Sequence, residues 1–238
     1  MKYRALATDY DGTIAHDGVV DTETIDALRR VRASGLKVLL VTGRELPSLF
    51  NTFAHPDVFD LIVAENGAVL YEPASGTVQP LAEPAPPALV DALQRAEVPL
   101  SVGHTIVATV TPYEHHVLRA IHELRLEWHV IFNKEAVMAL PSDVTKATGL
   151  AAALPRLNVP PEHVVGVGDA ENDHAFLRLS GLSVAVSNAL QEVKALVDVT
   201  TAGARGAGVQ ELIAKLLNGE LDAIEPAPDK HQSLASRR

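Results

Sequence analysis

Short apolar runs alternate with helical periodicities over most of the chain. Residues 5–8 (Ala-Leu-Ala-Thr) form a first run that ends almost at once on Asp9 and Asp11. Over 21–34, Ile25, Leu28 and Val31 recur at three-residue spacing, and Asp21 stands where an N-cap belongs, so the pattern predicts a helix. Residues 37–42 (Lys-Val-Leu-Leu-Val-Thr) form a continuous apolar run, as expected of a strand covered on both faces. A helix beginning near Glu45 and a strand over 61–64 follow. Further on, 164–168 and 182–186 read as strands with a helix at 171–179 between them. Residues 197–200 read as an edge strand and 207–217 as a closing helix. This alternation predicts an α/β fold: a Rossmann-like, doubly wound parallel sheet with helices on both faces.

The middle of the chain breaks the rhythm. Residues 72–87 carry Pro73, Pro80, Pro84, Pro86 and Pro87, a linker-like composition. A helix at 87–96 precedes strand-like runs at 100–102 and 106–111. Thr111-Pro112-Tyr113-Glu114 then offers an N-cap, a proline at the first helical position and an acid at the third. That helix is expected to reach Arg125, with Val117, Ile121 and Leu124 on one face. Runs at 129–132 and 136–140 complete the segment. Helix and strand pair, twice, predict a small α+β insertion with an antiparallel sheet. The expected division is therefore 1–71 and 142–218 as one core, 72–141 as the insertion, and 219–238 as a flexible tail.

Composition narrows the setting. A chain of 238 residues amounts to between one and two domains at roughly 150 residues each. With 47% apolar and 21% charged residues it is an ordinary globular chain, neither disordered nor collagen-like. The absence of cysteine excludes a disulfide scaffold, a thiolate nucleophile and a Cys-based zinc site. Twenty Lys and Arg against 30 Asp and Glu leave a net charge of −10. That argues against nucleic acid and anionic membrane as partners, which require clustered cations. No apolar run approaches the ~20 residues of a membrane span, and the first residues make a poor signal peptide. A soluble, cytoplasmic protein is expected.

The candidate chemistry lies at the ends of predicted strands. Asp9-Tyr10-Asp11-Gly12-Thr13 puts two carboxylates at the carboxyl end of the first strand, where open α/β sheets bind ligands. Like charges so close call for a cation. Alone, an Asp-x-Asp pair is weak. Thr42-Gly43-Arg44 ends the second strand with a hydroxyl, a backbone N–H and a guanidinium suited to phosphate. Gly168-Asp169-Ala170-Glu171-Asn172-Asp173 brings two more carboxylates to a strand-to-helix turn. Lys146 opens a helical stretch, where its ammonium can clamp phosphate. These four motifs, in this order, resemble those of the haloacid dehalogenase (HAD) superfamily, over roughly residues 3–217. The insertion between the second and third motifs resembles the C2 cap of subfamily IIB, shared by sugar-phosphate phosphatases and small phosphoglycolate phosphatases. Ala64-Glu65-Asn66-Gly67-Ala68 resembles the Asn-Gly loop these proteins carry before the cap.

The resemblance implies a Mg²⁺-dependent phosphatase acting on a small phosphorylated metabolite. Asp9 would be the nucleophile, forming an aspartyl-phosphate. Asp11 would be the general acid and then the base. Its backbone carbonyl, with the carboxylates of Asp9 and Asp169, would ligate Mg²⁺. Asp173 would join this metal group by orienting Lys146 or a metal-bound water. Thr42 and Lys146 would hold the phosphoryl oxygens. Gly43 and Asn172 would also face phosphate or the metal, and Arg44 and Asn66 the substrate's edge. Lys146 is followed by Ala147 where relatives often have glycine, a change that favours the helix. The acid at position 11 favours hydrolysis over dehalogenation. A phosphomutase and a non-catalytic phosphate-binding regulatory module are the alternatives, and the protein is expected to be a monomer or homodimer.

Other conspicuous residues have plainer readings. His115, His116 and His122 read as a solvated helix face, because a metalloprotease spacing needs histidine where Leu126 stands. Trp128 reads as part of the insertion's core. His104, in a Gly-His-Thr turn, is a candidate to reach down to substrate. The glycine-rich 203–208 stretch lacks the Lys-Ser/Thr of a phosphate loop and reads as a turn, with Arg205 near the site's mouth.

Overall fold

The structure, a computed structural model, describes residues 2–133 and 135–226. The first half comprises β1 (Ala5–Thr8), α1 (Thr22–Ala33), β2 (Lys37–Val41), α2 (Leu46–Thr52), β3 (Leu61–Ala64), β4 (Val69–Glu72) and β5 (Thr77–Pro80). The insertion supplies α3 (Pro87–Arg95), β6 (Ser101–Val102), β7 (Val107–Val110), α4 (Glu114–Glu123), β8 (Trp128–Asn133) and β9 (Ala136–Pro141). The chain then returns through α5 (Lys146–Ala153), β10 (Val164–Gly168), α6 (His174–Leu179), β11 (Leu182–Ala185), α7 (Gln191–Leu196), β12 (Val199–Thr200) and α8 (Arg205–Leu217).

Eight strands form the main sheet in the order β12-β11-β10-β1-β2-β3-β4-β5. All pairings are parallel from β12 to β3, and β4 and β5 add antiparallel. Every residue of β1, β3, β10 and β11 is buried. Such strands need cover on both faces, which explains their unbroken apolar sequences. α1 packs against α8, and α5 against α6. Strand order runs outward from β1 in one direction and from β10 in the other, so a crevice opens beyond their carboxyl ends.

The insertion forms a second, antiparallel sheet, β6-β7-β9-β8. Its two-residue alternation separates two apolar faces. Val107, Val137 and Ala139 pack with Leu89 and Leu93 of α3 and with Val117 and Ile121 of α4. Ile106, Met138 and Leu140 instead join the main core. The insertion is thus a cap with its own small core, laid face-down on the large sheet. Trp128 packs, partly buried, against that small core.

Several elements depart from the sequence expectation. The proline-rich stretch from 72 is not all linker, because β4 and β5 extend the large sheet through Pro80. Pro80 ends a strand at the sheet's edge, where a missing N–H breaks no ladder. The expected boundary at 71/72 therefore falls inside β4. Thr111 does not cap α4: its N–H pairs with the Glu135 carbonyl at 2.9 Å, continuing the β7–β9 pairing. The Thr111–Pro112 peptide is cis, and α4 starts at Glu114 without a side-chain cap. α4 ends at Glu123, leaving Leu124 exposed. α7 escaped the periodicity altogether. The expected flexible tail begins with a 3-10 turn, Glu220–Ala223, whose Leu221 is buried in the main core; residues 227–238 of that tail lie outside the described residues. Among the described residues no helix is long and apolar enough to cross a membrane.

The N-cap of α1 is as the sequence predicts: Asp21 Oδ1 accepts from the Thr24 N–H at 2.6 Å, and also from Gln210 Nε2 of α8 at 3.1 Å. Replacing Asp21 by Ala is expected to cost about 1 kcal/mol, measured as a lower urea midpoint at unchanged m-value.

Candidate active site

Four loops leave adjacent parallel strands on the same edge of the sheet. Asp9 follows β1, Thr42 to Arg44 follow β2, Glu65 and Asn66 follow β3, and Asp169 to Asp173 follow β10. Asp9 is still anchored to the sheet, its N–H donating to the Val167 carbonyl at 3.0 Å. Its carboxylate is almost fully buried. Lys146, the first residue of α5, extends Nζ to 2.5 Å from Asp9 Oδ1 and 2.6 Å from Asp173 Oδ1. Thr145 fixes that helix start through a reciprocal cap with Thr148. The approach of the β3 loop to α5 requires glycine at 67, where a Cβ would stand 2.0 Å from the Thr145 carbonyl oxygen.

Asp173 has no accessible surface and uses both carboxylate oxygens. Oδ1 receives Lys146, and Oδ2 accepts from the N–H groups of Asp169 and Ala170 at 2.8 and 2.9 Å. It therefore sets both the lysine and the loop that carries Asp169. Asp169 Oδ1 accepts from Thr13 Oγ1 at 3.1 Å. Gly12, at φ +90°, passes so close that a Cβ there would lie 2.2 Å from Asp169 Oδ2. Asp9, Asp169 and Asp173 bring carboxylate oxygens within 4.8 Å of one another.

Asp11 stands apart from this triad. Its two oxygens accept from Arg44 Nε and Nη2 at 2.6 and 2.7 Å, a bidentate pair at the mouth of the cleft. Arg44 also reaches Thr52 and lies 5.0 Å from the centre of the Tyr10 ring. Arg44, expected at the substrate's edge, thus lines the cleft while committed to Asp11. Thr42 is buried, and its hydroxyl accepts from the Arg44 N–H at 3.1 Å. Asn66 Oδ1 accepts from Asn172 Nδ2 at 3.0 Å, and Asn172 Oδ1 is buried without a protein partner.

A cleft of about 350 Å³ between core and cap is lined by Asp9, Asp11, Gly43 and Arg44 below and by Ser101 and Met138 above, among others. Asn66, Lys146 and Asn172 line a neighbouring cavity of about 340 Å³. His104 lines neither; it faces a separate hollow beside Glu83 and Asp143. Arg205 acts through its backbone, donating to Asn188 Oδ1, while Asn188 Nδ2 holds the Gly12 carbonyl at 2.8 Å. Thr13, Glu65 and Asn188 carry no role in the sequence reading. Their side chains serve backbone or neighbouring side-chain partners that only folding brings near.

The electrostatics follow from burial. Asp9's carboxyl is held well above its ordinary 3.8, first by desolvation and then by Asp173 and Asp169, against the pull of Lys146. Burial disfavours the Lys146 ammonium, but Asp173 and Asp9 together overrule it and raise its affinity for the proton. Arg44 is likewise raised, chiefly by its hydrogen bond to Asp11. Three buried carboxylates face a single ammonium, and the donors are all hard oxygen. That set fits a small divalent cation. Since Asp173 spends both oxygens on Lys146 and two N–H groups, Asp9 and Asp169 are the side chains placed to hold it.

The fold and this centre define a capped α/β enzyme with a carboxylate site. A family model of haloacid dehalogenase-like hydrolases matches residues 6–104 and 119–213. The chain belongs to that family. Phosphoglycolate phosphatase of Methanothermobacter thermautotrophicus is 28% identical over 223 residues, 90% of this chain and 99% of its own. The protein of the same name from Methanopyrus kandleri is 31% identical over 232 residues, 92% and 98% of the two chains. Among solved structures, a haloacid dehalogenase-like hydrolase from Bacteroides thetaiotaomicron has a TM-score of 0.76 at 18% identity, covering 90% of this chain and 99% of its own. A subclass IIB sugar phosphatase has a TM-score of 0.72 at 19% identity, over 91% and 99%.

Two outcomes test this centre. Saturating Mg²⁺ is expected to raise the melting temperature, with about 2.7 kcal/mol of stabilisation at a hundred times Kd; in Asp169→Ala calorimetry should show no shift. In chelator, the folded chain keeps the Asp9 proton to higher pH than the unfolded chain does. Wild-type stability therefore falls as pH rises from the ordinary 3.8 through the raised value, while the Lys146 contribution holds until pH passes 10.5. Asp9→Asn lacks that falling limb, so urea titrations should show it gaining on wild type as pH rises above the ordinary carboxyl value of 3.8.

Proposed function

We propose that this protein is a Mg²⁺-dependent phosphatase that hydrolyses phosphomonoesters of small metabolites, of the sugar phosphate or phosphoglycolate type, through an aspartyl-phosphate on Asp9. The observation that carries this reading is the Asp9 carboxylate, held by Lys146 within a buried acidic cluster and opening on a cleft beneath a cap. Family membership and the phosphoglycolate phosphatases among the relatives support it.

Asp9 attacks phosphorus, and the bond from phosphorus to the ester oxygen breaks. Asp11, once it has taken up a proton and turned one oxygen away from Arg44, delivers that proton to the departing oxygen. Water then gives its proton to Asp11 and attacks the same phosphorus, freeing phosphate and regenerating Asp9. The carboxylates of Asp9 and Asp169 and the Asp11 carbonyl would hold Mg²⁺, which would supply charge neutralisation for the phosphoryl oxygens. Lys146 adds a fixed positive charge beside the nucleophile, and Asp173 keeps it there. Thr42, the Gly43 backbone and Asn172 stand on the adjacent strand ends to receive phosphate oxygens. Arg44 orients Asp11. The cap limits the leaving group to what a cleft of about 350 Å³ admits and keeps bulk water from the intermediate.

The test is inorganic phosphate release from a panel of phosphorylated metabolites, with and without Mg²⁺. Metal-dependent release is expected; isomer formation without phosphate would instead reveal a mutase, and inertness a binding module. Asp9→Asn should abolish turnover at unchanged circular dichroism, and full activity in that variant overturns the assignment. Asp11→Asn should lower kcat by about 10²–10⁴-fold.

A further inference from the structure

The loop after β3 contains two consecutive left-handed residues that are not glycine, Glu65 at φ 51° and Asn66 at φ 52°. Side chains disfavour this backbone, and it persists where surrounding contacts fix it. Here the contacts point two ways. Below, the Glu65 N–H donates to the Arg44 carbonyl and the Asn66 N–H to the Thr42 carbonyl, each at 3.0 Å, which fastens the loop to the catalytic strand end. Above, the side chains grip the cap. Glu65 Oε1 accepts from the His104 N–H at 2.9 Å. Oε2 accepts from the N–H groups of Thr105 and Ile106 at 2.9 and 3.1 Å. Asn66 Nδ2 donates to Met138 Sδ on β9 at 3.3 Å.

Three successive backbone N–H groups converging on one carboxylate form an anion-binding concavity. The anion is supplied by the chain itself, from another domain, and is 3% exposed. Gly103 lets it in: a Cβ there would stand 2.6 Å from Glu65 Oε1. The turn so held joins β6 to β7, and Ser101, Ile106 and Ala108 of this hairpin line the catalytic cleft. A second tie on the same hairpin, Ser101 Oγ to Glu45 Oε1 at 2.6 Å, lies at its outer end. Glu65 itself does not line the cleft, and no step of the reaction uses it.

We propose that Glu65 is a positioning residue: its carboxylate, seated in the 104–106 backbone concavity, fastens the β6–β7 hairpin over Asp9 and so sets the cleft for a small leaving group. Glutamine has the same shape, but its NH₂ cannot accept from these donors, and the cap should loosen. The kinetic arm of the test rests on the phosphatase reading; the exchange arm does not.

The experiment compares wild type with Glu65→Gln, Gly103→Ala and the double variant. Hydrogen–deuterium exchange at amides 104–106 is expected to speed up about tenfold or more in each variant. KM for 2-phosphoglycolate or glycerol phosphate, whichever the wild type hydrolyses, should rise about tenfold with kcat changed less than about threefold. p-Nitrophenyl phosphate, whose bulky leaving group gains from a looser cap, should be unaffected or improved. Because both substitutions break one contact, the double variant should be no worse than the worse single. Wild-type exchange at 104–106 in folded Glu65→Gln overturns the proposal, as do multiplying effects in the double variant or an equal loss of kcat on both kinds of substrate. Failure of both single variants to fold also overturns it, since Glu65 would then be a requirement of the fold. A wild type inert towards every phosphomonoester defeats the phosphatase reading, and the exchange result still decides the role of Glu65.

Discussion

The buried ammonium of Lys146, between Asp9 and Asp173, is the contact on which the rest of the site depends. A charge with almost no solvent survives only against opposite charge, and two carboxylates at about 2.5 Å supply it. Removing one member of such a cluster typically costs about 3–5 kcal/mol, because its partner is left charged and dry. The contact also joins three distant parts of the chain: the end of β1, the start of α5 and the turn after β10. Its geometry is therefore the geometry of the sheet edge. It still leaves the centre short of positive charge, and for that reason the acidic cluster fits a small cation.

The chain as a whole has the same imbalance, a net charge of −10, while the substrate class proposed for it is anionic. The answer is local. Lys146 and Arg44 are the cations at the cleft and its neighbouring cavity among the described residues, and each is already paired with an acid. A phosphate would be attracted by the Lys146 charge, by backbone N–H groups at strand ends, whose dipoles carry no countercharge, and by the metal ion of the proposed function. The cap adds shape. Its sheet turns Met138 and Ile106 down and Val107, Val137 and Ala139 up, so one strand alternation builds both the cap's own core and the roof of the cleft.

How much of this was legible followed the range of the interactions. Buried parallel strands declare themselves by continuous apolar sequence, and β1, β3 and β10 appear where the pattern puts them. The Asp21 cap is a three-residue affair and was equally readable. The proline-rich stretch misled because β4 and β5 lie at the sheet's edge, where half-exposed positions blur the apolar pattern and proline is tolerated. Thr111-Pro112 carried every helix-start signal, yet the Thr111 N–H was taken by Glu135 in the neighbouring strand, a partner that local sequence does not reveal. Leu221 looked like part of a tail because one apolar residue has no periodicity, although it is buried in the core.

The sequence by itself determined the α/β class, the apolar strands and the identities of the acids, the threonine and the lysine, since strand-end motifs are local and their chemistry is that of the side chains. Only the tertiary structure decided which of these groups meet. It separated Asp11, paired with Arg44, from the triad of Asp9, Asp169 and Asp173. It spent both oxygens of Asp173 on positioning. It turned Glu65, an unremarked residue beside an Asn-Gly, into the tie between core and cap. Burial and distance set a carboxylate's role, and neither is a property of the linear chain: both arise when strands far apart in sequence become neighbours about 5 Å apart in the sheet.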